Sequence, residues 1–162
     1  MKIDCTIDGK TLTLSLNSDK PLSLILRENT GDDAVVNHCN GEMCGLCVVL
    51  VDGKAMLSCM VPAFEIRGKT VTTFDSFRKT RNMKDIEKAY ESVGSFPCPD
   101  CYASRSLIFE SLIDENITDP EEILKELSII KCPCMDPEDV ISIVLKGIEL
   151  RRKRNVRRTQ FA

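Results

Sequence analysis

Nine cysteines among 162 residues are the side chains here best suited to do chemistry, and eight of them fall into two spaced sets. Cys39, Cys44 and Cys47 follow the pattern C-x4-C-x2-C, with Cys59 after eleven intervening residues. Cys98 and Cys101 form C-x2-C, and after a gap of thirty residues Cys132 and Cys134 form C-x-C. Thiolates are soft anionic donors, and four together hold either a tetrahedral zinc ion or the irons of a small cluster. The C-x4-C-x2-C spacing is the one that wraps a [2Fe–2S] cluster. Such a cluster carries net negative charge, so the loop around it must turn backbone N–H groups toward the sulfurs, and Gly41 and Gly45 permit that close approach. For the second set, C-x2-C with a distant pair serves zinc and iron alike, and both readings stay open. The ninth cysteine, Cys5, alternates with Ile3 and Ile7 and reads as a small core hydrophobe. His38 is the one histidine; a Rieske-type site needs two, so a role beside a cluster edge or in solvent is expected for it.

The elements that must carry these residues change character midway. Ile3, Cys5 and Ile7, then Leu12, Leu14 and Leu16, alternate on either side of Asp8-Gly9 and predict a hairpin. Leu22, Ile25 and Leu26 recur at helical spacing after Pro21, so a helix is expected to pack on that hairpin. From Asn29 to Cys47 periodicity is lost, and an irregular stretch of this length inside a compact domain is usually functional. Residues 48 to 51 and 54 to 58 flank Asp52-Gly53 as a second hairpin, and Thr70 to Thr73 reads as a closing strand. Beyond this, apolar residues follow helical spacing, predicting helices over 82–93, 103–115, 120–130 and 137–153. Two starts are well marked: Asp119-Pro120 with Glu122, and Asp136-Pro137 with Asp139. The fold class is therefore α+β, with a sheet domain over 1–77, a helical bundle-like domain over 78–155 and a basic tail over 156–162.

Composition narrows the function. No apolar run reaches the roughly 18 residues of a membrane span, and Met1 to Cys5 lacks the apolar core of a signal peptide. A cytoplasmic protein is expected, where thiols stay reduced and cysteines serve metals more than disulfides. Six of the 22 basic residues lie between Arg151 and Arg158, so the rest of the chain is strongly acidic and its end is basic. With two Tyr, six Phe and no Trp, base-stacking surfaces are scarce, and no nucleic-acid partner is expected. No triad, phosphate loop or dinucleotide fingerprint is present, so no substrate site is expected on this chain.

The combination of a β-rich segment bearing C-x4-C-x2-C-x11-C and a helical segment bearing C-x2-C and C-x-C resembles the small iron–sulfur subunit of molybdenum hydroxylases, the xanthine dehydrogenase and aldehyde oxidoreductase family. The likeness runs to about residue 150 and includes Gly45, Asp52-Gly53 and Ser58 before Cys59. It implies a β-grasp, ferredoxin-like N-terminal domain and a four-helix C-terminal domain. It also implies two [2Fe–2S] clusters, on Cys39, Cys44, Cys47 and Cys59 and on Cys98, Cys101, Cys132 and Cys134. These would relay electrons from a large molybdopterin-binding catalytic subunit to an FAD-binding subunit or other acceptor, with molybdopterin and FAD held only by the partners. The second cluster would lie nearer the pterin. This chain departs from the family where Q-C-G-F-C-T-P-G is replaced by Pro97-Cys98-Pro99-Asp100-Cys101-Tyr102-Ala103-Ser104, and C-R-C-T-G-Y by Cys132-Pro133-Cys134-Met135-Asp136-Pro137. His38 and Glu42 stand where glycines are usual. The cluster ligands survive these changes, but the pterin-contacting glutamine does not. That contact is therefore expected to be rebuilt, with Tyr102 and Asp100 as candidates, or to be absent. The competing functions are a zinc-stabilised interaction module and a free-standing two-cluster carrier.

Overall fold

The computed structural model describes residues 1–16, 19–30, 39, 41 and 44–161. Strands β1 (Lys2–Ile7) and β2 (Lys10–Ser15) pair antiparallel around Asp8-Gly9. Both turn residues have positive φ, 49° and 79°, as the tight turn that matches strand twist requires. Strands β3 (Val48–Val51) and β4 (Lys54–Leu57) repeat the device around Asp52-Gly53. Strand β5 (Thr70–Thr72) sits between the two hairpins, parallel to β1 and antiparallel to β3, giving the order β2-β1-β5-β3-β4. Helix α1 (Leu22–Asn29) buries Leu22, Ile25 and Leu26 in one core with Ile3, Cys5, Ile7, Val49, Val51 and Val71. Burying each such aliphatic side chain is worth about 1.5–3 kcal/mol. This mixed sheet with one covering helix is the expected β-grasp arrangement.

Alternation makes β3 two-faced. Val49 and Val51 face α1, whereas Val48 and Leu50 belong to a second core formed mainly by helices. The chain crosses between the two through Thr73, whose N–H and hydroxyl donate to the Asp8 carboxylate at 2.8 Å each. There follow a single turn, α2 (Phe74–Phe77), and then α3 (Arg81–Val93), α4 (Tyr102–Asp114), α5 (Pro120–Leu127) and α6 (Pro137–Gln160). Both proline-marked starts hold. Asp119 accepts from the Glu122 N–H at 3.0 Å, whereas Asp136 occupies the cap position without a side-chain bond. Helix α4 is central, buried along almost its whole length from Ser104 to Glu110. It rests on β3 and β4, and its Ser111 hydroxyl accepts the Ala55 N–H at 3.1 Å.

The helix expected over 120–130 ends at Leu127, where the Ser128 hydroxyl donates to the Lys125 carbonyl, and two larger features also differ from expectation. Helix α2 carries too little periodicity to be read from sequence. Helix α6 continues to Gln160 instead of ending near 153. Its apolar spacing does stop there, but Arg, Lys and Gln are good helix formers, and two of the six cations between Arg151 and Arg158 are structural. Arg151, 8% exposed, meets Glu110 at 2.6 Å and Asp85 at 3.6 Å, and Arg154 meets Asp85 at 3.2 Å. This ion cluster fastens the end of α6 to α3 and α4. Among the described residues no helix is long and apolar enough to cross a membrane.

Candidate metal centres

The distant pairs of the second set converge. The sulfurs of Cys98, Cys101, Cys132 and Cys134 all lie within 4.8 Å of one another, with Cys98 and Cys132 at 3.9 Å. Cys101 is fully buried and forms the N-cap of α4; the other three are half-buried. The turn that places them is tight, because the N–H groups of Cys101 and Tyr102 both donate to the Cys98 carbonyl at 3.0 Å. The N–H of Cys98 points in turn at the Cys134 sulfur, 3.5 Å away. The positive end of the α4 dipole therefore meets the sulfur group.

In the first set Cys39, Cys47 and Cys59 bring their sulfurs within 4.8 Å of one another. The N–H of Cys59 points at the Cys47 sulfur at 3.5 Å. Three supports fix the group. Ser58 N–H donates to the Cys47 carbonyl, Ser23 N–H donates to the Ser58 carbonyl, and the Arg27 guanidinium donates to the Cys39 carbonyl. Cys44 is half-buried on the same loop but outside this sulfur group. His38 and Glu42 lie outside the described residues. Cys5 is 3% exposed in β1, its thiol pushed up by burial and by Asp4, as a core cysteine should be.

The electrostatics show what these groups lack. The Cys101 N–H brings the Cys98 thiol down to about 7, while burial pushes Cys101 far up. In the first set burial also raises Cys39, but the Gly41 N–H and hydrogen bonds from Cys47, Ser23 and Cys59 outweigh it and the net shift is downward. Cys59 is pushed up to about 12 by burial and by its neighbours Cys47 and Cys39. Packed thiols cannot all ionise against one another; one gives up its proton and its neighbours keep theirs. A bound cation removes that conflict, and the donor sets therefore fit a metal centre. Sulfur spacing alone suits a tetrahedral ion and a small cluster equally.

The two centres touch through backbone. Gly45 has φ +87°, and a Cβ there would lie 2.5 Å from the Ile129 carbonyl oxygen and 2.7 Å from the Ile130 Cα. The adjacent Cys44 carbonyl accepts the Lys131 N–H at 3.4 Å. The first ligand loop is thus seated on the segment that leads directly into Cys132.

Comparison with known proteins gives the family. No family model matches the chain. It is 28% identical over 153 residues to one of the subunits of nicotinate dehydrogenase from Pseudomonas putida, covering 93% of this chain and 97% of the relative. It is 30% identical over 146 residues to the xanthine dehydrogenase iron-sulfur-binding subunit of Escherichia coli O157:H7, covering 88% and 91%. The chain belongs to the iron–sulfur subunits of the molybdenum hydroxylases. Its fold matches a chain of quinoline 2-oxidoreductase from Pseudomonas putida 86 with a TM-score of 0.71 at 23% identity, over 94% of this chain and 96% of that one. As a molybdenum hydroxylase iron–sulfur subunit it is an electron-transfer component of an oxidoreductase, and its two cysteine groups suit iron–sulfur centres. Of the two candidates for a rebuilt pterin contact, Asp100 is exposed. Tyr102 is half-buried, with ring centroids 5.9 Å from Phe74 and 5.8 Å from Tyr90.

One residue at the second group escaped the sequence reading. Arg105 is 5% exposed and donates to the Cys132 carbonyl at 2.8 Å. A signal for it existed, since Arg105 is the only basic residue between Lys88 and Lys125 and follows Cys101 by one helical turn.

Proposed function

We propose that this chain relays electrons through two [2Fe–2S] clusters, one held by Cys39, Cys44, Cys47 and Cys59, the other by Cys98, Cys101, Cys132 and Cys134. Its partners would be a large molybdopterin-binding catalytic subunit, with an FAD-binding subunit or other acceptor, in the cytoplasm. The observation that carries this reading is the convergence of Cys98, Cys101, Cys132 and Cys134 in a chain 30% identical to a xanthine dehydrogenase iron-sulfur-binding subunit. When bound, the clusters supply one-electron redox chemistry. The protein's own work is to hold and insulate them. The N–H groups of Cys98 and Cys59 point at ligand sulfurs, and Gly45 lets the first ligand loop lie against residues 129 to 131, keeping the two groups at a fixed separation.

The loops at 97–104 and 132–137 form the face for the molybdopterin subunit in this reading. Phe96 beside them is 54% exposed, an apolar side chain suited to a subunit contact. The test is elemental and spectroscopic. The purified chain is expected to be reddish-brown, with about four irons and four acid-labile sulfides, and to give two distinct paramagnetic resonance signals on reduction. A colourless protein with stoichiometric zinc would sink the proposal. Co-purification with a molybdopterin-containing subunit separates a fixed subunit from a free-standing carrier.

A further inference from the structure

The second cysteine group is built beside a buried cation that no carboxylate among the described residues balances. Arg105 lies one turn into α4, its N–H donating to the Cys101 carbonyl at 2.8 Å, and the residue is only 5% exposed. One guanidinium nitrogen donates to the Cys132 carbonyl. Among the described residues the Nε has no hydrogen-bond partner, and no Asp or Glu forms an ion pair with Arg105. The contrast within the same helix bundle is sharp, for the other buried arginine, Arg151, is held by Glu110 and Asp85.

An arginine does not escape burial by losing its proton. A guanidinium withdrawn from water without an anion is strongly unfavourable, so the fold implies an anion at this place. The anion at hand is the four-thiolate group that Arg105 braces through Cys132. A [2Fe–2S] cluster on four thiolates is a dianion when oxidised, and reduction adds one electron and one further negative charge. A fixed cation beside it stabilises the reduced form more than the oxidised form.

We infer that Arg105 is a positioning residue for the second centre: its guanidinium holds the Cys132–Cys134 segment by the Cys132 carbonyl, and its charge raises the reduction potential of the cluster those cysteines bind. This rests on the reading of the second set as a [2Fe–2S] site. Two variants separate charge from hydrogen bonding. Arg105→Gln keeps a donor for the Cys132 carbonyl and loses the charge; Arg105→Lys keeps the charge and loses the planar fork.

Redox titration of the full, cluster-loaded chain, followed by paramagnetic resonance, reads each centre separately. In R105Q the second centre's reduction equilibrium is expected to fall at least tenfold, about 59 mV for one electron, while the first centre titrates at its parental potential. In R105K the second centre should stay within about a third of that shift. If R105Q fails to assemble the second centre, as iron and sulfide counts would report, while R105K assembles it at the parental potential, the need for the charge is equally supported. An assembled R105Q centre at unchanged potential, equal shifts in both variants, or loss of the centre in both overturns the inference. A parent protein that itself shows zinc and a single signal overturns the [2Fe–2S] reading, and this inference with it.

Discussion

If Cys98 is a ligand as proposed, replacing it by Ser leaves a neutral hydroxyl where a thiolate is needed, and its centre loses one of four anionic donors. C98S is expected to lose one of the two resonance signals and about half of the roughly four irons that two [2Fe–2S] clusters contain, with the other signal retained. C44S tests the harder assignment. Cys44 earns its place from the C-x4-C-x2-C spacing, whereas the structure gathers only Cys39, Cys47 and Cys59. Loss of the first signal in C44S alone would make Cys44 the fourth ligand; survival of that signal would send the search elsewhere. Cys5 supplies the control. Buried between Ile3 and Ile7 on β1, it should tolerate C5A with both signals intact and a stability loss of about 1 kcal/mol. An iron deficit in C5A would contradict its reading as core.

At the level of elements, the joint between α3, α4 and α6 is ionic. Arg151 sits between Glu110 and Asp85, and Asn82 adds hydrogen bonds to Glu110 and Arg154. Truncating one member of a buried ion cluster strands the others, so R151M should lower unfolding stability by about 3–5 kcal/mol. By contrast R158A, at an exposed position of the same helix, should change it by no more than about 0.5 kcal/mol. Denaturant midpoints compare the two directly, and similar losses would show that Arg151 is no anchor. Glu110 adds a pH signature. Burial, joined by Asp114, raises its carboxyl above the ordinary 4.5 against the pull of Arg151 and Asn82. The folded chain therefore binds this proton more tightly than the unfolded chain does. The resulting stability is complete below pH 4.5 and is lost as pH rises through the raised value. Because Gln does not titrate, the stability of E110Q relative to the parent should climb over that interval and then level off. Unfolding curves of both proteins across it would show a flat or falling difference if Glu110 were not shifted upward.

For the molecule as a whole, the contact that matters is where the first ligand loop rests on the segment before Cys132. Gly45→Ala would place a methyl 2.5 Å from the Ile129 carbonyl oxygen at a φ of +87°. The backbone strain alone costs about 1–3 kcal/mol, and relief requires the loop to lift away from residues 129 to 131. G45A is therefore expected to lower iron occupancy at both centres, whereas the ligand variants each affect one. Equal iron in G45A and the parent would show that the two groups are independent. That joint also marks the limit of what local sequence can encode. The spacing of the eight candidate ligand cysteines, the Asp8-Gly9 and Asp52-Gly53 turns, and the starts at Pro120 and Pro137 follow from the chemistry and φ/ψ preferences of a few neighbouring residues, so they were legible without coordinates. The end of α6 was not, because Arg151 and Arg154 look like solvated charges until Asp85 and Glu110 arrive from other helices. The same holds for Arg105 beside Cys132 and for Gly45 against Ile129. Spacing determined which atoms could bind metal and where the chain must turn. Only tertiary packing decided which thiols meet, which cation is buried with them and how the two groups are joined, because burial and close approach depend on residues distant in sequence.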